Sequence, residues 1–254
     1  MTRPRYIASC SGGKDSVATI LLAAEKNEPL DEVIYSEVMF DQDTSGEVPE
    51  HRDFIYHKLK PFVEKELGCK FSVLRGNKTY DDVFHHIIVR GAYRGLTRGF
   101  VWPGKCAVNR DCKMPPLRKY HKALPDDTRS YVGIASDEPK RLARLNQEKD
   151  IRLLAKYDMT EEDAWRLCEK YDLLSPCYQY SKRNGCWFCP NASTSELSHM
   201  VNHHPELFDR LIEWERTDNL YHCRLTRSET PSEVKARLMR KPQPEFSISN
   251  QIGG

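Results

Sequence analysis

The apolar run Tyr6-Ile7-Ala8 passes within three residues into Ser11-Gly12-Gly13-Lys14-Asp15-Ser16, and that stretch opens a helix-forming run from Val17 to Ala24. No other feature constrains the fold as much. A strand that turns through glycines straight into a helix belongs to a sheet whose crossovers are helical. The same layout suits an anion. Glycines let the backbone approach a phosphate, the free N–H groups of the first helical turn point at it, and Lys14 adds charge. Ser9, Ser11 and Ser16 add hydroxyls. The adjacent glycines do not fit the Walker A spacing GxxxxGK[S/T]. A bare Gly-Gly would read as an ordinary turn; the lysine and flanking hydroxyls make a phosphate the expected ligand.

Strand-like and helix-like stretches then alternate. Glu32–Phe40, Lys70–Leu74, Ser130–Ala135 and a short Ile151–Leu154 read as further strands. His51–Leu67 has helical apolar spacing and a stop at Gly68, and Tyr80–Val89 reads as helical. This order predicts an α/β fold, a doubly wound parallel five-stranded sheet with helices on both faces. Ligands of such sheets bind at the carboxyl ends of the strands. Beyond about residue 158 strands fade. Helices are expected at Thr160–Tyr171, Thr194–Asn202, Pro205–Thr217 and Pro231–Arg240, around a cysteine-rich loop. The expected organisation is a nucleotide-binding domain over 1–158, a helical extension with metal-binding cysteines over 159–241, and a flexible tail over 242–254.

The net charge of +2 hides an uneven distribution. Residues 90–122 carry nine Lys and Arg against Asp111 alone, or +8, which leaves −6 for the rest. Tyr93, Phe100, Trp102 and Tyr120 are interleaved with those cations. Such a segment suits a polyanion, so a nucleic acid is an expected partner. No apolar run approaches the ~20 residues that span a bilayer. The start Met1-Thr2-Arg3-Pro4-Arg5 leads directly into the first strand, so the expectation is a cytoplasmic protein without membrane contact. Nine cysteines in that compartment point to metal or redox chemistry rather than disulfides.

Ser-Gly-Gly-Lys-Asp-Ser resembles the pyrophosphate loop of the N-type ATP pyrophosphatases, a superfamily that includes adenylating tRNA thiolases, GMP synthetase and the phosphoadenylyl-sulfate (PAPS) reductases. The resemblance covers about residues 1–200. It implies ATP or a PAPS-type adenine nucleotide held by Ser9, Ser11, Gly12, Gly13, Lys14, Asp15 and Ser16, cleaved between its α and β phosphates. The stretch Asp43-Thr44-Ser45-Gly46-Glu47-Val48-Pro49-Glu50 is similar to the Asp-Thr-Gly…Glu-Pro-Glu-Thr pattern of the PAPS reductase group, with Ser45 as an extra residue. It implies that Asp43 and Thr44 lie beside the nucleotide. The end of the fourth expected strand, Gly133-Ile134-Ala135-Ser136-Asp137-Glu138-Pro139-Lys140-Arg141, is similar to a Gly-Ile-Ala-x-Asp-Glu-x-x-Arg stretch of PAPS-reductase-like proteins. Asp137, Glu138 and Arg141 there could order a magnesium ion and a phosphate, with Gly133 at the pocket; they also read as a helix cap. Lys14, Asp15 and Asp137 are the candidate catalytic groups.

Cys177, Cys186 and Cys189 have the spacing C-x8-C-x2-C. The close pair can chelate one metal or two corners of a cluster, Gly185 permits the tight turn, and Pro190 follows as in ferredoxin-type runs. Three thiolates leave one ligand to find. Cys112 is the expected fourth, with Cys106 in reserve, and His203 or His204 would serve zinc. Spacing alone leaves a [4Fe–4S] cluster and Zn²⁺ both open; a nucleotide loop in the same chain favours the cluster. The spacing is similar to that of a sulfurtransferase of bacterial DNA phosphorothioation, which carries such a cluster.

These features lead to an expected ATP-dependent sulfur-transfer enzyme that acts on a nucleic acid or small molecule, with a sulfur donor protein and a second copy of the chain, as a homodimer, among the expected partners. PAPS reduction is the first alternative, although the tail Ser247–Gly254 lacks the cysteine that the reductases use. A non-catalytic nucleotide-binding protein with structural zinc is the second.

Overall fold

The computed structural model describes residues 3–104, 106–144 and 149–240. The strands are β1 (Tyr6–Cys10), β2 (Glu32–Glu37), β3 (Lys70–Arg75), β4 (Thr97–Gly99), β5 (Arg129–Tyr131), β6 (Asp150–Ile151) and β7 (Leu220–His222). The helices are α1 (Lys14–Glu25), α2 (Pro49–Phe54), α3 (Tyr80–Phe84), α4 (Met114–Lys122), α5 (Pro139–Leu142), α6 (Leu153–Lys156), α7 (Glu161–Lys170), α8 (Thr194–His203), α9 (Pro205–Glu215) and α10 (Pro231–Arg240). Among the described residues no helix is long and apolar enough to cross a membrane.

Five strands form one parallel sheet in the order β3-β2-β1-β5-β6, flanked by helices, as the α/β reading expects. The chain leaves β1 toward β2 and β3 on one side and returns to β5 and β6 on the other. The strand order therefore reverses between β1 and β5, where an open α/β sheet forms its ligand crevice. β1 is paired in register with β2 from Ile7–Glu32 to Cys10–Tyr35, and with β5 from Tyr6–Arg129 to Ala8–Tyr131.

The chain divides into two compact units. The first comprises the chain up to Ser36, Pro49–Leu74 and Leu117–Pro176; the second comprises Glu37–Val48, Arg75–Pro116 and the chain from Cys177 on. This differs from a linear boundary at residue 158. The apolar face of α7 explains part of the difference: Ala164, Leu167 and Cys168 are buried against α1 in the first unit. A Thr160–Asp163 capping box fixes where α7 begins. The whole stretch Val17–Ala23 of α1 is buried, so this helix is the centre of that core.

Other differences are local. The long helix expected from His51 begins at Pro49 and includes two wide turns, Ile55–Leu59 and Phe62–Glu66, before Gly68 at φ +60° ends it. The helix expected over Tyr80–Val89 stops at Phe84, and Ile87 instead pairs antiparallel with Thr97. Ile87, Ile88 and Val89 are β-branched, which favours that extended course. The fourth strand leaves its ladder after Tyr131, and only Asp150–Ile151 of the fifth is strand, since α6 takes Leu153 onward. Residues 220–222, outside every expected strand, pair with β4 as a two-stranded ribbon. The expected tail 242–254 lies outside the described residues.

The second unit has an aromatic core. Tyr80 stacks on Phe188 at 4.0 Å between ring centroids, and Phe40 on Trp214 at 4.4 Å. Trp187 is buried beside Phe40.

Candidate functional site

The loop between β1 and α1 is built almost wholly from backbone. Gly12 has φ +75°, and a Cβ there would lie 2.3 Å from Ile55 Cδ1 and 2.6 Å from His51 Cε1. Conformation and space both demand glycine. Gly13 is the N-cap of α1, in extended conformation and with no side-chain cap for the first-turn N–H groups. That is the arrangement in which the helix N-terminus can receive an anion.

The loop's carbonyls are turned to internal donors. Ser11 O accepts from His51 Nε2 at 2.9 Å. Because a carbonyl can only accept, His51 carries its proton on Nε2, and its Nδ1 accepts from the Ser175 hydroxyl at 2.9 Å. Gly13 O accepts from Ser16 Oγ at 2.8 Å and Val17 N at 3.0 Å. Lys14 O accepts from the Cys168 thiol at 3.3 Å, and Asp15 O from Thr19 Oγ1 at 2.7 Å. Burial pushes the Cys168 thiol up to about 12, so it is a neutral donor here. The hydroxyls of Ser11 and Ser16 lie 3.4 Å apart, whereas Ser9 is an exposed residue of β1.

Lys14 Nζ sits between two carboxylates, Asp15 Oδ1 at 2.9 Å and Glu161 Oε2 at 2.8 Å. Burial lowers the Lys14 pKa, but hydrogen bonds to Glu161 and Asp15 outweigh it and the net shift is upward. Burial raises the Asp15 carboxyl above its ordinary value; Lys14 opposes this, and the like charges of Glu161 and Glu138 add to it. Asp137 accepts from the Glu161 backbone N–H at 3.2 Å and so caps α7. Glu138 Oε1 accepts from Ala135 N at 3.3 Å, and its other oxygen pairs with Arg141 at 2.5 Å. Gly133 lies against the loop: a Cβ there would meet the backbone of Asp15 and Ser16 at 2.8 Å.

The structure thus gathers Ser11–Ser16, Gly133, Asp137 and Glu138 in the first unit, with Arg141 held by Glu138. Asp43 and Thr44 belong to the second unit. Their backbone N–H groups donate to Asp41 Oδ1 at 2.9 and 2.7 Å, and the Thr44 hydroxyl accepts from Arg210 at 2.9 Å. Burial raises the Asp41 pKa, yet Arg210 and the turn amides outweigh it and hold the carboxyl at about 2. Sequence reasoning missed His51 and Glu161 as parts of the loop's surroundings. Glu161 is 147 residues from Lys14, and nothing in the local pattern signals the pairing.

The second unit gathers thiols. Cys186 and Cys189 share a tight turn closed by Cys189 N to Cys186 O at 3.0 Å, and Glu47 bridges antiparallel to Cys186. Burial drives the Cys186 thiol well above its ordinary value; Glu47, Cys189 and Cys106 add to the rise, and Lys113 opposes it. Cys106 therefore shares the electrostatic surroundings of the close pair. The Cys106 sulfur accepts from Asn109 N at 3.3 Å, and the Cys189 sulfur accepts from Arg183 Nη2 at 3.4 Å. Cys177 accepts from the Tyr180 hydroxyl at 3.0 Å and lines a small cavity with Ser181, Arg183, Cys186 and Glu196. Cys112 is buried and donates to Thr79 O at 3.3 Å, and burial pushes its thiol up to about 12. Both polar atoms of the Asn184 side chain, two residues before Cys186, are buried without a hydrogen-bond partner. Among the described residues no three cysteine sulfurs lie within 4.8 Å of one another.

No protein-family model matches the chain. An uncharacterized protein of Methanocaldococcus jannaschii, MJ0973, is 27% identical over 213 residues, which are 81% of this chain and 46% of that protein. The chain thus spans about half the length of the curated relative it matches. Among solved structures, the chain is similar to the U34-tRNA thiolase NcsA from Methanococcus maripaludis with its [4Fe-4S] cluster, at a TM-score of 0.40 and 18% identity. That similarity covers 97% of this chain and 84% of that one.

Proposed function

We propose that this protein is an adenine-nucleotide-dependent sulfur-transfer enzyme. The loop of the first unit takes the nucleotide's phosphates, and a metal–thiolate centre in the second unit handles sulfur. The observation that carries the first part is the loop itself, with uncapped first-turn N–H groups, inward carbonyls and Lys14 at its edge. The Ser-Gly-Gly-Lys-Asp-Ser motif supplies the nucleotide class. In this reading an acceptor oxygen attacks the α-phosphate and the α–β bond breaks, releasing pyrophosphate. Sulfur then displaces AMP from the activated acceptor. Lys14 leaves Glu161 for the phosphates and stabilises the charge that develops there. Asp137 and Glu138 would be the carboxylates that hold Mg²⁺, which would supply positive charge to offset that of the phosphates.

The donor set of the second unit fits a metal. Cys106, Cys186 and Cys189 are the proposed thiolate ligands, with Cys177 as the neighbour that lines the same cavity as Cys186. Burial holds the Cys186 thiol in its protonated form, and a bound metal would remove that proton. Tetrahedral zinc needs sulfurs about 3.8 Å apart at Zn–S of about 2.3 Å. No three of the described cysteine sulfurs lie within 4.8 Å of one another, which favours a cluster, whose thiolates would sit farther apart than those on one zinc ion. Such a cluster would supply a site for sulfur; Arg183 would donate to the Cys189 sulfur, and the Asn184 amide lies beside it in sequence.

The test is calorimetric titration of anaerobically purified protein with Mg·ATP, together with iron, zinc and sulfide analysis. Lys14→Ala should weaken nucleotide binding about tenfold or more, the scale of a lost charged hydrogen bond. Unchanged affinity would remove the loop from the site. Stoichiometric zinc without iron or sulfide would sink the cluster and leave a structural metal.

A further inference from the structure

Among the described residues six large hydrophobic side chains are exposed: Ile87, Val89, Tyr93, Trp102, Tyr221 and Met239. Five of them belong to one neighbourhood of the second unit, the β4–β7 ribbon and the segments that flank β4. Thr97 and Gly99 pair with Leu220 and His222, Ile87 bridges to Thr97, and Gly99 packs so closely that a Cβ there would lie 2.1 Å from His222 O. The rings come in two pairs. Tyr93 packs on Tyr221 at 4.3 Å between centroids, and Trp102 stacks on His222 at 3.9 Å and 22°. Tyr221 and His222 are successive strand residues, so the pairs lie on opposite faces of β7.

Each pair keeps an outer ring available. Trp102 and Tyr93 are both 52% exposed. Under Trp102, His222 Nδ1 donates to Phe100 O at 2.9 Å, and its Nε2 is buried without a partner. The imidazole is therefore a neutral, fixed base for the indole. Cations predominate in the segments that carry these rings. Residues 86–104 include Arg90, Arg94 and Arg98 and no carboxylate, and residues 219–227 include Arg224 and Arg227 and no carboxylate. Arg98 pairs with Asp111 at 3.6 Å, whereas Arg90, Arg94 and Arg224 are exposed and have no ion-pair partner among the described residues.

We propose that this ribbon is a docking site for an unpaired nucleic-acid strand that passes over the outer edge of β7 from one face to the other, with bases stacked on Trp102 and Tyr93 and phosphates met by Arg90, Arg94 and Arg224. Flat rings held by a second ring present a rigid face to a base, and unpaired arginines complement a backbone of phosphates. An indole on an imidazole and a phenol on a phenol, with guanidinium groups around them, suit stacking better than they suit insertion among acyl chains. As the place where a sulfur acceptor would dock, the surface rests on the function proposed above; as a strand-binding surface it stands on the ribbon alone.

The test uses the full chain and fluorescence anisotropy of labelled dT12 and rU12, beside flotation with phosphatidylserine vesicles. Both oligomers should bind, and Trp102→Ala and Tyr93→Ala should each weaken binding about tenfold, the scale of one stacked base. Arg94→Ala should lower the magnitude of the salt slope by about one. Mg·ATP affinity and the melting temperature of all three variants should stay at the parental values. Oligomer binding that the ring variants leave unchanged overturns the proposal. So does vesicle binding without oligomer binding, which would assign the surface to a membrane. Failure of ATP binding with oligomer binding intact would count against the enzyme reading and leave the ribbon's role standing.

Discussion

The two units build their candidate sites from different material. In the first, backbone does the work: Gly12 and Gly133 let main chain approach main chain, and the groups that would meet a phosphate are amides fixed by a strand and a helix. In the second, side-chain sulfurs converge from separated stretches, at 106, 177, 186 and 189. In the first arrangement the carbonyls of Ser11 and Gly13 are engaged and the first-turn N–H groups of α1 have no side-chain cap. The second has a raised thiol at Cys186 and an unpaired amide at Asn184. A site made of backbone is formed by folding, whereas a site made of thiols reaches electrostatic balance with its ligand.

That contrast can be broken by substitution. The largest effect is expected at the glycines. Gly133→Ala places a methyl 2.8 Å from the backbone of Asp15 and Ser16, and Gly12→Ala adds strain at φ +75°. Each should abolish measurable Mg·ATP binding and cost about 1–3 kcal/mol of stability in urea unfolding. Metal content should be unaffected; loss of both functions together would show that the two sites are not independent. Next come the cysteines. Cys106→Ala should halve the bound iron and sulfide or worse, while Cys112→Ala should keep the metal and lower stability through its buried packing. Metal retained in Cys106→Ala and lost in Cys112→Ala would reverse the ligand assignment. The smallest effect is expected at Asp41. Its pKa of about 2 when folded lies below the ordinary 3.8, so its contribution is full above about pH 4 and lost as pH falls through 2. Asp41→Asn should cost up to about 2 kcal/mol at pH 7 and flatten the stability curve between pH 4 and 2. Equal acid sensitivity in the variant and the parent would remove this turn as a contributor.

Legibility followed the same division. The strand–loop–helix at residues 6–25 and the parallel sheet could be read because apolar periodicity and glycine placement are local signals. The alternation implies a parallel sheet but not its strand order, and α7 and α8 start at the capping residues Thr160 and Ser193. The rest depends on long-range packing. Nothing in the stretch 106–112 signals that Cys112 folds inward to Thr79 O while Cys106 shares the surroundings of Cys186. The Asp43 and Thr44 amides donate to Asp41 in a local turn, whereas the contact of the Thr44 hydroxyl with Arg210 is one that only the fold brings about. β7 is three residues long, too short for periodicity to mark it, and it exists because Gly99 allows His222 to approach.

The inward carbonyls of the β1–α1 loop bear on what the proposed nucleotide site can recognise. With Ser11 O, Gly13 O, Lys14 O and Asp15 O all engaged by protein donors, the loop presents hydrogen to its visitor and almost no oxygen from the main chain. Such a surface measures negative charge and the tetrahedral spacing of oxygens, and it is blind to the base. Inorganic pyrophosphate should compete there as a mimic of the nucleotide's tail, and selection among purines and pyrimidines must be made by other residues.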